Sequence, residues 1–172
     1  MPTVSSLVLT VVGDDRAGLV AALADIVSAN GGNWERSQLA ELAGTFAGIV
    51  VVSVPDDRVA ALREALDLLG GMLKVTVHAG AAEPAPDERS QLTFGVLGND
   101  HPGIVRDISA VLSRHLISID DFFSETREAP MAGGRLFEAR VVARVPQDAD
   151  LAAVRADLEN LAAEIMVEIT LT

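Results

Sequence analysis

The sequence predicts an α+β protein built from two copies of one β-α-β-β-α-β unit, and three pattern blocks carry that reading. Val12-Gly13-Asp14-Asp15-Arg16-Ala17-Gly18-Leu19-Val20 recurs 85 positions later as Leu97-Gly98-Asn99-Asp100-His101-Pro102-Gly103-Ile104-Val105, with the same order of apolar, glycine, polar, acidic and helix-opening residues. The same shift carries Leu7, Leu9 and Val11 onto Leu92, Phe94 and Val96. A shift of 92 carries Val59, Leu62, Leu66 and Leu69 onto Leu151, Val154, Leu158 and Leu161, and Leu73, Val75 and Val77 onto Ile165, Val167 and Ile169.

In the first copy, Ser6 to Val12 is a run of β-branched and leucine residues, read as a strand. Leu19, Val20, Leu23, Ile26 and Val27 fall at helical spacing, and Asn30-Gly31-Gly32 closes that helix. Asn33 to Leu42 is a more polar strand, and Thr45 to Val54 is strongly β-like. Pro55-Asp56-Asp57 opens a second helix, which Gly70-Gly71 ends. Leu73, Val75 and Val77 alternate as the last strand. Gly80 to Arg89, with two prolines, small residues and charge, reads as a linker. The expected domains are therefore residues 4–80 and 90–172, joined by 81–89. The second copy is seven residues longer, and Glu128 to Gly134 is the expected insertion, as a longer hairpin loop.

A unit of about 75 residues in this order makes a four-stranded antiparallel sheet with both helices on one face. The opposite face needs a cover where it is apolar. Phe137, Ala139, Val141, Ala143 and Val145 alternate with Glu138, Arg140, Val142 and Arg144, which gives the second copy a partly wet face. In the first copy Ile49 and Val51 are apolar in both parities, so burial against the sister domain or a second molecule is expected there.

Composition narrows the function. The 172 residues are 49% hydrophobic, enough for real cores, yet no apolar run approaches the roughly 20 residues of a membrane span. Met1-Pro2-Thr3-Val4 does not resemble a secretory signal, and with no cysteine a cytosolic location is expected. The net charge of −12, with one lysine, argues against direct nucleic-acid binding, and 3% aromatic content argues against an RNA-recognition sheet.

The duplicated turn is the chemical feature. Two glycines and an aspartate between a strand and a helix bring backbone N–H groups to a ligand, and the positive end of the helix dipole favours a carboxylate. A neighbouring aspartate favours an ammonium, so the pair suits a free amino acid. Pro102 is expected at the first helical position and Asp100 over the first free amides. The alternative is that Asp15 and Asp100 are ordinary helix caps.

In this context Gly98-Asn99-Asp100-His101-Pro102-Gly103-Ile104-Val105 resembles the signature of ACT domains, small ferredoxin-like regulatory modules that bind amino acids. Two in tandem without a catalytic domain resemble the glycine cleavage system transcriptional repressor family over nearly the whole chain. The resemblance implies glycine as effector and a transcriptional regulator protein as partner. It also implies a ligand held between the turn of one domain and the second strand of a neighbour. The implied residues are Gly13, Asp14, Asp15, Ala17, Gly18, Leu19 and Val20 in the first turn. In the second turn they are Gly98, Asn99, Asp100, His101, Pro102, Gly103, Ile104 and Val105. The strand residues are Asn33 and Trp34, and Ser118, Ile119 and Asp120. Ala17 stands where the motif has proline, which makes the first turn less rigid.

Other residues carry less. His78, His101 and His115 do not form a metal-ligand pattern. Asp120-Asp121 are strand neighbours expected on opposite faces, and Asp56-Asp57 are expected as helix caps. Trp34 is expected over the core. Ser5, Ser6 and Ser90 lack a histidine partner. No catalytic residue, metal or cofactor is expected. A ligand-free protein–protein module and a small ferredoxin-like enzyme are the alternative functions.

Overall fold

The structure is a computed structural model that describes residues 3–81, 90–130 and 133–172. Its chain divides into two compact units, residues 1–85 and 86–172. The linker expected at 81–89 falls, beyond its first residue, outside the described residues.

The first unit runs β1 (Val4–Asp14), α1 (Leu19–Ala29), β2 (Asn33–Leu42), β3 (Thr45–Pro55), α2 (Val59–Asp67) and β4 (Lys74–Ala79). Its antiparallel sheet has the order β2-β3-β1-β4. Leu7, Leu9 and Val11 from β1 and Val50, Val52 and Val54 from β3 all point to one face, where they meet Leu19, Leu23 and Val27 of α1 and Leu62 and Leu66 of α2. Each such side chain taken from water contributes about 1.5–3 kcal/mol, so the strand period of two and the helix period of 3.6 meet in one core.

The second unit repeats this as β5 (Ser90–Asn99), α3 (Ile104–Arg114), β6 (Ser118–Glu128), β7 (Arg135–Val145), α4 (Leu151–Glu164) and β8 (Val167–Leu171), in the sheet order β6-β7-β5-β8. Phe94 and Val96 pack with Val141, Ala143, Ile108, Leu112, Val154 and Leu158. The expected alternation along β7 is borne out: Phe137, Ala139, Val141, Ala143 and Val145 are buried, whereas Arg140 is exposed.

Several boundaries move for physical reasons. β1 extends beyond Ser6–Val12 because its pairing with β3 continues from Val4 opposite Pro55 to Asp14 opposite Thr45. Asp56–Arg58 form a 3-10 turn before α2, and α2 ends at Asp67, ahead of Gly70-Gly71. Leu69 still enters the core from the following turn, where its amide donates to the Leu66 carbonyl at 3.0 Å. α1 closes as expected, with Gly31 at φ 70° and the Gly32 amide on the Val27 carbonyl at 2.9 Å.

The two hairpins differ in length. β2 turns into β3 through Ala43 and Gly44 alone, both with positive φ, which matches the twist of the flanking strands. β6 and β7 are joined by residues 129–134, closed by the Ala129 amide on the Gly134 carbonyl at 3.0 Å. Met131 and Ala132 of the expected insertion lie outside the described residues. On the outer face of the first sheet Ile49 is 48% exposed.

Candidate functional site

Both turns share one backbone design. α1 opens on Gly18 at φ 93° and α3 on Gly103 at φ 102°, left-handed conformations that favour glycine. Neither helix start has a side-chain cap. The first intrahelical bonds run from the Ala22 amide to the Gly18 carbonyl and from the Asp107 amide to the Gly103 carbonyl, each at 2.9 Å. The amides of the first turn therefore point outward without intrahelical partners. This corrects two expectations. Asp15 and Asp100 do not cap their helices, and Pro102 precedes the Gly103 cap rather than occupying the first helical position.

The aspartates are held by their backbones instead. Asp15 donates its amide to the Gly44 carbonyl at 2.9 Å, and Asp100 donates to the Arg135 carbonyl at 2.8 Å. Each turn is thus clipped to the tip of its own β-hairpin, with an exposed carboxylate beside an uncapped helix end. Leu19 and Ile104 turn inward to the core, whereas Val20 and Val105, each 43% exposed, face outward at the helix mouth.

Gly13 and Gly98 have packing reasons. A Cβ on Gly13 would lie 2.5 Å from the Met72 carbonyl oxygen, and one on Gly98 would lie 2.6 Å from Val167 Cγ1. A Cβ on Gly18 would meet nothing within 4 Å. Gly13 and Gly98 let the neighbouring chain approach, and Gly18 and Gly103 let the turn form. Asp14 and Asn99 are exposed ends of β1 and β5, and Ala17 and Pro102 are exposed within the turns.

The second turn carries an arginine–aspartate pair that the first lacks, and a histidine where the first has Arg16. His101 lies with Nε2 2.9 Å from the Ile165 carbonyl and Nδ1 3.1 Å from the Pro102 carbonyl. Donation to Ile165 and then to Pro102 raises its pKa, helped by the charge of Asp100. Arg106, absent from the sequence expectation, sits over Gly103 and pairs with Asp107 at 2.8 Å. The bond to Arg106 lowers the Asp107 pKa. The matching positions in the first turn are Arg16, Ala21 and Ala22. An arginine on the first turn of a helix opposes the dipole, and that was the available signal.

The second-strand residues lie elsewhere in each unit. Asn33 pairs with Ser53, which pairs with Ser6, so Asn33 sits seven residues, or about 23 Å, along the sheet from Gly13. Ser118 and Ile119 are likewise at the far end of the second sheet, opposite Arg144 and Ala143. Turn and second strand of one unit are therefore not brought together. Asn33 donates to Glu35 at 2.8 Å, and Trp34 packs against the core. A bulge between Ile119 and Asp121 overturns the expected alternation: Asp120 pairs with Arg144 at 2.7 Å and Asp121 lies 4.0 Å from Arg140, two arginines on one face. His115 meets Asp157 at 2.8 Å. Among the described residues no group of metal-binding side chains occurs, and no helix is long and apolar enough to cross a membrane.

Residues 5–80 match the family model of the ACT domain, and the second unit repeats the same topology, turn and glycine conformations. The chain is a tandem ACT-domain protein. It is related to the glycine cleavage system transcriptional repressor of Escherichia coli (strain K12), with 27% identity over 161 residues, 92% of this chain and 85% of that one. The crystal structure of an unknown protein from Galdieria sulphuraria is 30% identical and superposes with a TM-score of 0.88 over 98% of both chains. A crystal structure of a putative glycine cleavage system transcriptional repressor shares the fold, at 19% identity and a TM-score of 0.70 over 98% of this chain and 96% of that one. In this tandem ACT protein, the turns Gly13–Val20 and Gly98–Val105 occupy the same place in the two domains, each opening its helix on a left-handed glycine.

Proposed function

We propose that this ACT protein is a cytoplasmic, non-enzymatic regulator that binds a free amino acid at its β1–α1 and β5–α3 turns and passes the bound state to a transcriptional regulator protein. The domains of this reading span residues 4–80 and 90–172, with 81–89 as linker. The observation that carries it is the pair of uncapped helix starts, each opened by a left-handed glycine beside an exposed aspartate. The amides of Ile104, Val105 and Arg106 suit the ligand carboxylate, with the Arg106 guanidinium adding charge. The Asp100 carboxylate suits its ammonium, and His101 and Pro102 shape the turn. Leu19, Val20 and Ala21 offer the same amides in the first turn, beside Asp15.

Because Asn33 and Ile119 lie far from the turn of their own unit, they serve a turn only across an interface with another domain. Ligand in such a position stabilises one arrangement by its differential affinity, and the partner reads that arrangement. Glycine is the effector by likeness to the relatives named for the glycine cleavage system. An acidic surface fits action through a protein rather than through DNA.

The test is a thermal-shift panel of the twenty amino acids. A ligand at about 100 times its Kd stabilises the folded state by about 2.7 kcal/mol. A saturable shift with glycine, reduced by Asp100→Ala, is expected. A flat panel refutes amino-acid sensing and leaves a ligand-free association module.

A further inference from the structure

The helix-covered side of the second sheet is open at a place where that of the first is closed. In the first unit β4 runs to Ala79, opposite Leu7 of β1, and Leu7 is 3% exposed. Leu62 of α2 fills the same core, and the Arg63 guanidinium donates to the Val77 carbonyl at 3.2 Å. In the second unit the pairing of β8 with β5 stops at Leu171, opposite Phe94. Leu92, which corresponds to Leu7, is left only partly buried. The shift of 92 places Val154 where α2 has Leu62, and Arg155 where it has Arg63. Valine is smaller by one methylene, and Arg155 has no hydrogen-bond or ion-pair partner among the described residues.

The result is a depression of about 230 Å³ lined by Leu92, Leu151, Val154 and Leu171, with Arg155 beside them. Leu151 and Arg155 stand four residues apart on α4, so they share one helix face. Apolar walls with one convergent charged group are the pattern of a small-molecule site. A guanidinium offers two parallel N–H groups, which match a carboxylate. No acidic side chain lines the depression. The nearby Asp150 carboxylate is already taken by the Ala152 and Ala153 amides at 3.0 and 3.1 Å. An ammonium group would enter without a counter-charge, which is costly in apolar surroundings. At the roughly 30 Å³ that one water molecule occupies in the liquid, the space holds about seven or eight heavy atoms. That is a carboxylate on an alkyl chain of about five carbons.

We propose that the depression between α4 and the end of β8 binds a short branched aliphatic carboxylate that carries no amine. The alkyl group lies on Leu92, Val154 and Leu171, and the carboxylate pairs with Arg155. The site belongs to the second unit alone and is separate from the β5–α3 turn, because Leu92 and Leu171 lie toward the opposite end of the sheet from Gly98. In the first unit the matching place is filled, so the proposal assigns this site to one of the two domains only.

The test is an NMR titration of the full chain, methyl-labelled at leucine and valine, with 4-methylpentanoate. Saturable shifts are expected at Leu92, Leu151, Val154 and Leu171. Arg155→Gln, a change at an exposed position, should weaken binding about tenfold. Val154→Leu, which installs the first unit's residue, should abolish binding in a chain whose circular dichroism matches wild type. The uncharged 4-methylpentan-1-ol and the amine-bearing leucine should each shift these methyls at least tenfold more weakly. Unshifted methyls at saturating 4-methylpentanoate overturn the proposal. So does an Arg155→Gln or a folded Val154→Leu chain that binds like wild type, or an alcohol or leucine that binds as well as the carboxylate.

Discussion

Two glycines three residues apart on β5 respond to the same substitution with opposite sign. A Cβ on Gly98 would lie 2.6 Å from Val167 Cγ1 and 2.9 Å from Val167 Cα, so the backbone of β8 has to move. A Cβ on Gly95 meets only the Ala139 carbonyl oxygen, at 3.8 Å, an ordinary contact. Overpacking of this sort costs about 1–3 kcal/mol, and in a unit of this size each kcal/mol moves the midpoint by about 4–8 °C. Gly98→Ala should therefore lower the melting temperature of the second unit by roughly 4–24 °C. Gly95→Ala should leave it unchanged or raise it through about 0.4–1 kcal/mol of lost unfolded-state freedom. Differential scanning calorimetry at low protein concentration reads both. Equal losses for the two variants, or a Gly98→Ala protein melting with wild type, would refute the packing account of this glycine.

Three further outcomes follow from the same geometry. His101 donates to two carbonyls, so its raised folded pKa adds stability that is fully present below the ordinary value of 6.5 and is lost as pH rises through the folded value. An NMR titration should find its ring protonated above pH 6.5, and His101→Ala should flatten the pH dependence of the second unit's melting over that window. Asp150 caps α4 by accepting from the Ala152 and Ala153 amides at 3.0 and 3.1 Å, so Asp150→Ala should cost about 0.5–2 kcal/mol in chemical denaturation, whereas Asp100→Ala, with no cap bond to lose, should stay within about 0.5 kcal/mol of wild type. Leu158 is fully buried in the second core, and Leu158→Ala should cost about 2–5 kcal/mol by the same method.

The repeat was legible because local patterns carry it: alternation at Leu7, Leu9 and Val11, helical spacing at Leu151, Val154 and Leu158, and paired glycines at each turn. What stayed hidden is tertiary or geometric. No local rule says that a left-handed Gly103 caps α3, so Asp100 and Pro102 were placed one step too far into the helix. The bond from His101 to Ile165 joins residues 64 apart in the chain. The bulge that gathers Asp120 and Asp121 on one face breaks the alternation on which strand reading depends. The close approach of Val167 to Gly98 was not legible either, because only the fold brings β8 there. The turn as a candidate site was legible. Its separation from Asn33 and Ile119 was not, because that depends on strand register.

The central claim is that the two turns hold a free amino acid by the first amides of α1 and α3. Titration of the ¹⁵N-labelled chain with glycine, followed by amide chemical shifts, tests it most directly. The account predicts saturable shifts of Ile104, Val105 and Arg106 and of Leu19, Val20 and Ala21, abolished in the second turn by Asp100→Ala. An unperturbed spectrum, or shifts confined to residues away from both turns, would contradict it.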